Sequence, residues 1–367
     1  MVDQVNLVLG VICHHGHFSD FQPDGRFIQR VSVEKGMPIT YFISGTQLDE
    51  MANSREGLHN SLWFDVIGAM QSGHFINPRA GYSDAYKSEI AIMPYHHTPL
   101  VQPWAQDNLG EYFEILKRQM SWSKHVVEKK YNTSPVTAFP PDGIYSFSAA
   151  HSLKCCGLDN VVMSGEVFGG NKHAKGLVYW ASGIQHLVRT NDIQLNASEF
   201  ENAYHFVDKV LTEGHENNMP FITVVCDIDE FTGKRGLSLE DGIARVCCVG
   251  DAARQKGLNI VNTNAAAHWN QYKVNQENTG QFVDWNHVHA MIHGDGGLGF
   301  IDTYRNDSLN YVLEMLKQRR WHGWDVGEAE LSFCKAADAT CRNSWSAGAL
   351  TGHYDHNIGR AKYLLQA

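Results

Sequence analysis

Four clusters of ionisable residues each close a run of apolar, strand-forming residues. VNLVLGVIC leads into HHGHFSD with His15 and His17, and EIAIMPY into HHTP with His97. SPVTAFPP ends at Asp142, and FITVVC leads into DIDEF with Asp227, Asp229 and Glu230. In an extended segment side chains alternate, so His15 and His17 share one face and His14 takes the other. Two chemistries use such residues. Paired carboxylates hydrolyse glycosidic bonds, one attacking or activating water while the other protonates the leaving oxygen. Three histidines with a carboxylate make a mononuclear metal site. Each cluster also has a plainer reading: Pro-Asp-Gly is an ordinary turn, and Asp227 or Asp229 can cap one. Two prolines before Asp142 and a glycine after it nevertheless form a stiff mount, which a catalytic carboxylate needs and a surface aspartate does not.

The elements that must hold these residues alternate. VNLVLGVIC, PITYFISG, EIAIMPY, SPVTAFPP, DNVVMSG, LVYWAS, HLVRTN, FITVVCDID and KGLNIVNT read as strands. LGEYFEILKRQMSWSKHVVEKKY repeats its apolar residues at helical spacing, and SFSAAHSLKCCG reads as a helix opened by Ser146 or Ser148 and stopped by Gly157. Strands that alternate with helices and are apolar on both faces predict an α/β fold with a parallel sheet, compatible with a barrel whose site lies at the C-terminal strand ends. Residues 1–305 are assigned to this barrel. Residues 306–367 are assigned to a helical C-terminal region packed on it, with DSLNYVLEMLKQRRW and IGRAKYLLQA helical and a glycine- and tryptophan-rich loop between them.

The bulk properties narrow the partners. A chain of 367 residues, 43% hydrophobic and 19% charged, can bury a sizeable core. A net charge of −10 argues against nucleic acid and suits a small molecule or a neutral oligosaccharide. No apolar run reaches membrane-spanning length, and MVDQVNLVLGVIC reads as a first strand, not a signal peptide. Eight cysteines without CxxC spacing suggest a reduced, cytoplasmic setting.

The segments CHHGHFSD, PITYFISGTQLDEMA, EIAIMPYHHTPLVQP, AFPPDGIYSFSAAHSLKCCGLDNVVMSGE, HLVRTNDIQL, VVCDIDEFTG and CRNSWSAGALTGHYDHNIGRAKYLLQA together resemble glycoside hydrolase family 57 along most of the chain. The resemblance implies a distorted seven-stranded (β/α) barrel, related to polysaccharide deacetylases, with a helical bundle. It implies retaining α-glycoside chemistry: hydrolysis, transglycosylation or branching of α-glucans, with no cofactor. Asp142 matches the nucleophile position, Asp227 the acid/base, His97 the histidine after the third strand, and Trp345 the tryptophan of the C-terminal block. The chain departs from the pattern at several points. Asp142 stands where the family has glutamate, Ser19 where it has proline, and SWSAG lacks a histidine. DIDEFTG is one residue off the usual spacing, which lets Asp229 take the role of Asp227. Aspartate is shorter than glutamate by about 1.5 Å. That moves the pair from the roughly 5–5.5 Å of retaining enzymes toward the roughly 6.5–9.5 Å of inverting ones.

Three functions follow. The leading one is a carbohydrate-active enzyme using Asp142 with Asp227 or Asp229, its substrate held by His15, His17, His97 and Trp345. The alternative is a metal-dependent enzyme, a deacetylase-like hydrolase or one of other small-molecule chemistry, in which His15, His17 and His97, with Asp142 or Asp227, hold zinc, iron or manganese. The third is a non-catalytic glycan-binding barrel.

Overall fold

The computed structural model describes residues 3–13, 21–53, 68, 73–81, 84–98, 109–141, 145–146, 149–163, 166–167, 170–173, 178–181, 183–190, 193, 195, 202–232, 237–269, 274–275, 281–282, 303–343 and 351–367. Seven parallel strands form the frame: β1 (Asn6–Cys13), β2 (Thr40–Ser44), β3 (Glu89–Met93), β4 (Thr137–Ala138), β5 (Asn160–Met163), β6 (Ile184–Val188) and β7 (Phe221–Asp227). They lie side by side in the order β7-β1-β2-β3-β4-β5-β6. A 2.8 Å hydrogen bond from the amide of Thr190, just past β6, to the carbonyl of Thr223 in β7 joins the two ends of the curled sheet. This is the distorted α/β barrel the sequence predicts. β8 (Asn259–Val261) pairs the first half of β1, and β2 pairs the second half. The strand Val178–Ala181 runs antiparallel to β6.

Alternation along each strand separates two apolar layers. Val8, Phe42, Ala91, Met93, Phe139, Val162, Leu187 and Phe221 cluster together as the barrel interior. Their neighbours Leu7, Leu9, Tyr41, Ile43, Ile90, Ile92, Val161 and Ile222 belong to the layer under the helices. Both faces are thus buried, which is why these strands read as continuous apolar runs. Phe42 and Phe139 stack inside the barrel at 4.5 Å; each such side chain contributes roughly 1.5–3 kcal/mol on burial.

The helices are α1 (Phe21–Ile28), α2 (Gly45–Asn53), α3 (Leu109–Val126), α4 (Ala150–Cys155), α5 (Ala203–Glu216), α6 (Leu239–Gln255), α7 (Thr263–Trp269), α8 (Thr303–Trp321), α9 (Gly327–Asn343) and α10 (Thr351–Gln366). α7 seals the N-terminal end of the barrel. Its Ala265, Ala266 and Ala267 join the interior cluster, and its first turn bonds the opening residues of the strands: the Thr263 amide to Thr40 Oγ1 at 3.1 Å and the Asn264 amide to Glu89 Oε2 at 2.9 Å.

Two local expectations are corrected. Ser146 does not open α4; it is paired in the strand Tyr145–Ser146, and Ala149 precedes the helix without a side-chain cap, while Ser148 lies outside the described residues. Gly157 does end it, at φ +71°, a left-handed value open to glycine without strain. The region expected as a loop after Trp321 contains the helix α9. Its buried face is Ala329, Phe333, Cys334, Ala336 and Ala337, so the spacing is helical but the small side chains weaken the apolar signal. No helix among the described residues is long and apolar enough to cross a membrane.

Candidate active site

The segment leaving β3 is fixed from two sides. From α2, the Thr46 amide donates to the Tyr95 carbonyl at 2.8 Å. From α3, the Gln119 carbonyl accepts from the Tyr95 amide at 3.3 Å, and Gln119 Oε1 accepts from the His96 amide at 2.9 Å. α2 must approach closely for this: a Cβ on Gly45 would stand 2.6 Å from Tyr95 Cδ2 and 2.9 Å from the Ser123 Cα. The chain then turns, the His97 amide donating to the Pro94 carbonyl at 2.9 Å. His97 has φ +55°, a left-handed value that costs a non-glycine residue on the order of 1 kcal/mol or more. It is buried, and its Nδ1 lies 3.0 Å from Oδ1 of Asp338 on α9.

His96 differs from its neighbour. Its Nδ1 is 3.2 Å from Thr46 Oγ1, and burial pushes its pKa down to about 4; Lys335 lowers it further and Asp338 opposes the shift. It is therefore neutral at pH 7.

At the end of β7, Asp227 continues the alternation that puts Phe221 and Val225 against the barrel interior, opposite Ile12 of β1 in register. Its Oδ1 also accepts the Asp229 amide at 3.0 Å and caps the short turn Ile228–Glu230. The plainer reading of Asp227 as a turn cap is thus present together with its place at the barrel mouth. Asp229 lies within that turn and Glu230 is buried. Burial pushes the Cys13 thiol well up, and Asp24, Asp227, Cys226 and Asp229 push in the same direction. Three carboxylates therefore gather around the end of β1. Asp24 is 2% exposed in α1 and was not among the sequence candidates. The signal was there: Pro23-Asp24-Gly25 repeats the Pro-Asp-Gly of residues 141–143.

Asp142, His15, His17 and Trp345 lie outside the described residues. The segments on either side of Asp142 are anchored. Before it, the Phe139 amide donates to the Ile92 carbonyl at 3.0 Å and the ring fills the barrel. After it, Tyr145 is fully buried with its hydroxyl 2.7 Å from His186 Nε2 on β6.

α9, which brings Asp338 to His97, is clasped to the barrel. Arg118 of α3 holds Glu330 through two parallel bonds, both 2.8 Å, and Arg320 of α8 bonds Glu330 and Glu111. Two-point guanidinium–carboxylate pairing fixes direction as well as distance, so α3, α8 and α9 hold one arrangement. Among the described residues, no group of three His, Cys, Asp or Glu side chains is placed to hold a metal ion.

No family model and no curated protein matches the sequence. Solved structures do match the fold. The 4-α-glucanotransferase from Thermococcus litoralis aligns over 99% of this chain and 60% of its own, with a TM-score of 0.63 and 14% identity. The α-amylase from Thermotoga maritima aligns over 99% of this chain and 93% of its own, at 0.58 and 10% identity. The family 57-type branching enzyme from Pyrococcus horikoshii aligns over 97% and 87%, at 0.57 and 12% identity. The chain thus has the fold of family 57 enzymes, and spans three fifths of the length of the glucanotransferase.

Proposed function

We propose that the chain is an enzyme acting on carbohydrate, which cleaves or transfers an α-glucosidic bond between two carboxylates at the barrel mouth. Asp227 is the proton donor and Asp142 the nucleophile or base. The observation that carries this reading is the position of Asp227, in the barrel-facing register at the C-terminal end of β7. The support around it is a fold matching enzymes named as a glucanotransferase, an amylase and a branching enzyme. Asp229 takes the part of Asp227 if the turn cap withholds Asp227 from substrate. His97, held by Asp338, and Trp345 contact the sugar. An oligosaccharide substrate, no cofactor and a cytoplasmic setting complete the reading; the seven cysteines with described side chains are all free thiols. The test is turnover of an aryl α-glycoside, and transfer to a maltooligosaccharide acceptor, by wild type and by Asp227→Asn. Wild-type protein inactive in both assays counts against the reading.

The His97–Asp338 pair favours a second reading as well. Metal-binding histidines commonly present their other ring nitrogen to a carboxylate. His15, His17 and His97 would then hold a divalent zinc, iron or manganese ion, which supplies an activated water when bound.

A further inference from the structure

The far end of the α8–α9 hairpin carries a groove of about 530 Å³ lined by Met315, Gln318, Arg319, His322 and Trp324. Such a volume is in the range of small-molecule sites, roughly 300–1,000 Å³. It is separate from the mouth: Gly327 and Asp338 stand eleven residues apart on α9, roughly 16 Å at the helical rise. The groove is built by the way α8 ends. The Gly323 amide donates to the Arg320 carbonyl at 2.9 Å and the Trp324 amide to the Arg319 carbonyl at 3.1 Å. Gly323 takes φ +77°, so the chain doubles back and places the Trp324 ring 3.9 Å from the Arg319 guanidinium. Cation–π contact holds that pair. Gln318 is oriented by a 3.0 Å bond from its Nε2 to Glu314 Oε1.

Two tryptophans are nonetheless left in water. Trp321 is 87% exposed and Trp324 53% exposed. Tryptophan, with an apolar body and a polar N–H, is enriched at contact surfaces, and Trp324 lines the groove.

We infer that this groove is a second carbohydrate site, which holds a segment of α-glucan chain away from the reacting bond. A pyranose ring has an apolar C–H face and a rim of hydroxyls. The face fits an indole, and vicinal hydroxyls fit planar groups that offer hydrogen bonds at the edge, here the amide of Gln318, the guanidinium of Arg319 and the imidazole of His322. None of the five lining residues is acidic, so nothing in the lining selects a cation. Arg319 supplies the only permanent charge among those five. The inference rests on the proposed α-glucan chemistry.

The test uses the full chain in native gels containing soluble starch, with aryl α-glycoside turnover measured on the same preparations. Gln318→Ala and Trp324→Ala are compared with wild type. Gln318 is exposed and its side chain bonds Glu314 of the same helix, so its removal leaves packing intact and keeps the test valid if Trp324→Ala folds poorly. Trp324→Ala is expected to weaken starch retardation by about tenfold, as truncation of an aromatic anchor does, and Gln318→Ala by about threefold, with aryl glycoside turnover within about twofold of wild type. Retardation equal to wild type in both variants overturns the inference. So does wild type that turns over the aryl glycoside without retardation, an outcome that leaves the proposed function standing. A change in oligomeric state of either variant overturns it in favour of a protein contact. Wild type that neither binds nor turns over removes the proposed function and the groove together.

Discussion

His97 and Asp338, 241 residues apart in sequence, meet with Nδ1 and Oδ1 3.0 Å apart. The contact joins the barrel to the helical region at the C-terminal ends of the strands. A carboxylate at Nδ1 holds the proton on that nitrogen and sets the tautomer and orientation of the ring. Asp338→Ala is expected to lower kcat by about 10–100-fold, the usual cost of losing a partner that orients a working histidine. Asp338→Asn keeps an acceptor oxygen and should recover part of the rate. Equal rates in the two variants would reduce the contact to packing.

The carboxylates can be ranked by substitution. Asp142→Asn and Asp227→Asn are each expected to fold normally and to lose at least ~10³-fold in kcat, as essential catalytic groups do. Asp229→Asn should lose less than about tenfold, because the Asp229 group that bonds Asp227 is its backbone amide, which the change retains. Steady-state rates on an aryl α-glycoside decide it. A large loss at Asp229 with a small one at Asp227 would exchange their roles.

Much of this arrangement was legible in the sequence because the barrel strands are buried on both faces. The runs ending at Cys13, Met93 and Asp227 announce both the strand and the residue at its end. What escaped was set by long-range contact. Asp338 sits on a helix whose inner face is mostly alanine and cysteine, a weak pattern, and its partner lies on the far side of the chain. Asp24 carries the same Pro-Asp-Gly as residues 141–143, but the helix that packs it near Cys13 is not announced by those residues. The positive φ of His97 carries no local signature either, since it follows from the hydrogen bonds that Thr46 and Gln119 impose on residues 95 and 96.

Metal chemistry and two-carboxylate chemistry separate on dialysis. In the carboxylate mechanism one group is protonated and its partner ionised, so the pH–rate profile is bell-shaped and chelator has no effect. If His15, His17 and His97 hold a metal, chelator removes it and the activity with it. Retained activity after chelation is the expected result. Full loss restored by one equivalent of a single divalent metal would replace the proposed mechanism by the second reading.

Two buried groups at opposite ends of the barrel give the stability a pH dependence that is nearly hidden in the wild type. Glu89 is enclosed at the N-terminal end, and burial outweighs the donors Thr137, Asn264, Thr263 and Thr40 to raise its pKa from 4.5 to about 7. Between those values the folded chain holds a proton the unfolded chain has released, so stability falls as pH rises through that window. His96, at the mouth, is lowered by burial from 6.5 to about 4. There the unfolded chain holds the extra proton, so stability rises with pH through the lower window. Each contributes ~3 kcal/mol over its range, and the opposed slopes largely cancel where the windows overlap. Glu89→Gln should unmask the histidine: urea midpoints rising with pH up to about 6.5. His96→Gln should unmask the glutamate, with midpoints falling as pH rises to about 7. If Glu89→Gln keeps the wild-type profile, the carboxyl is ionised in the folded chain and its four donors, not burial, set its state.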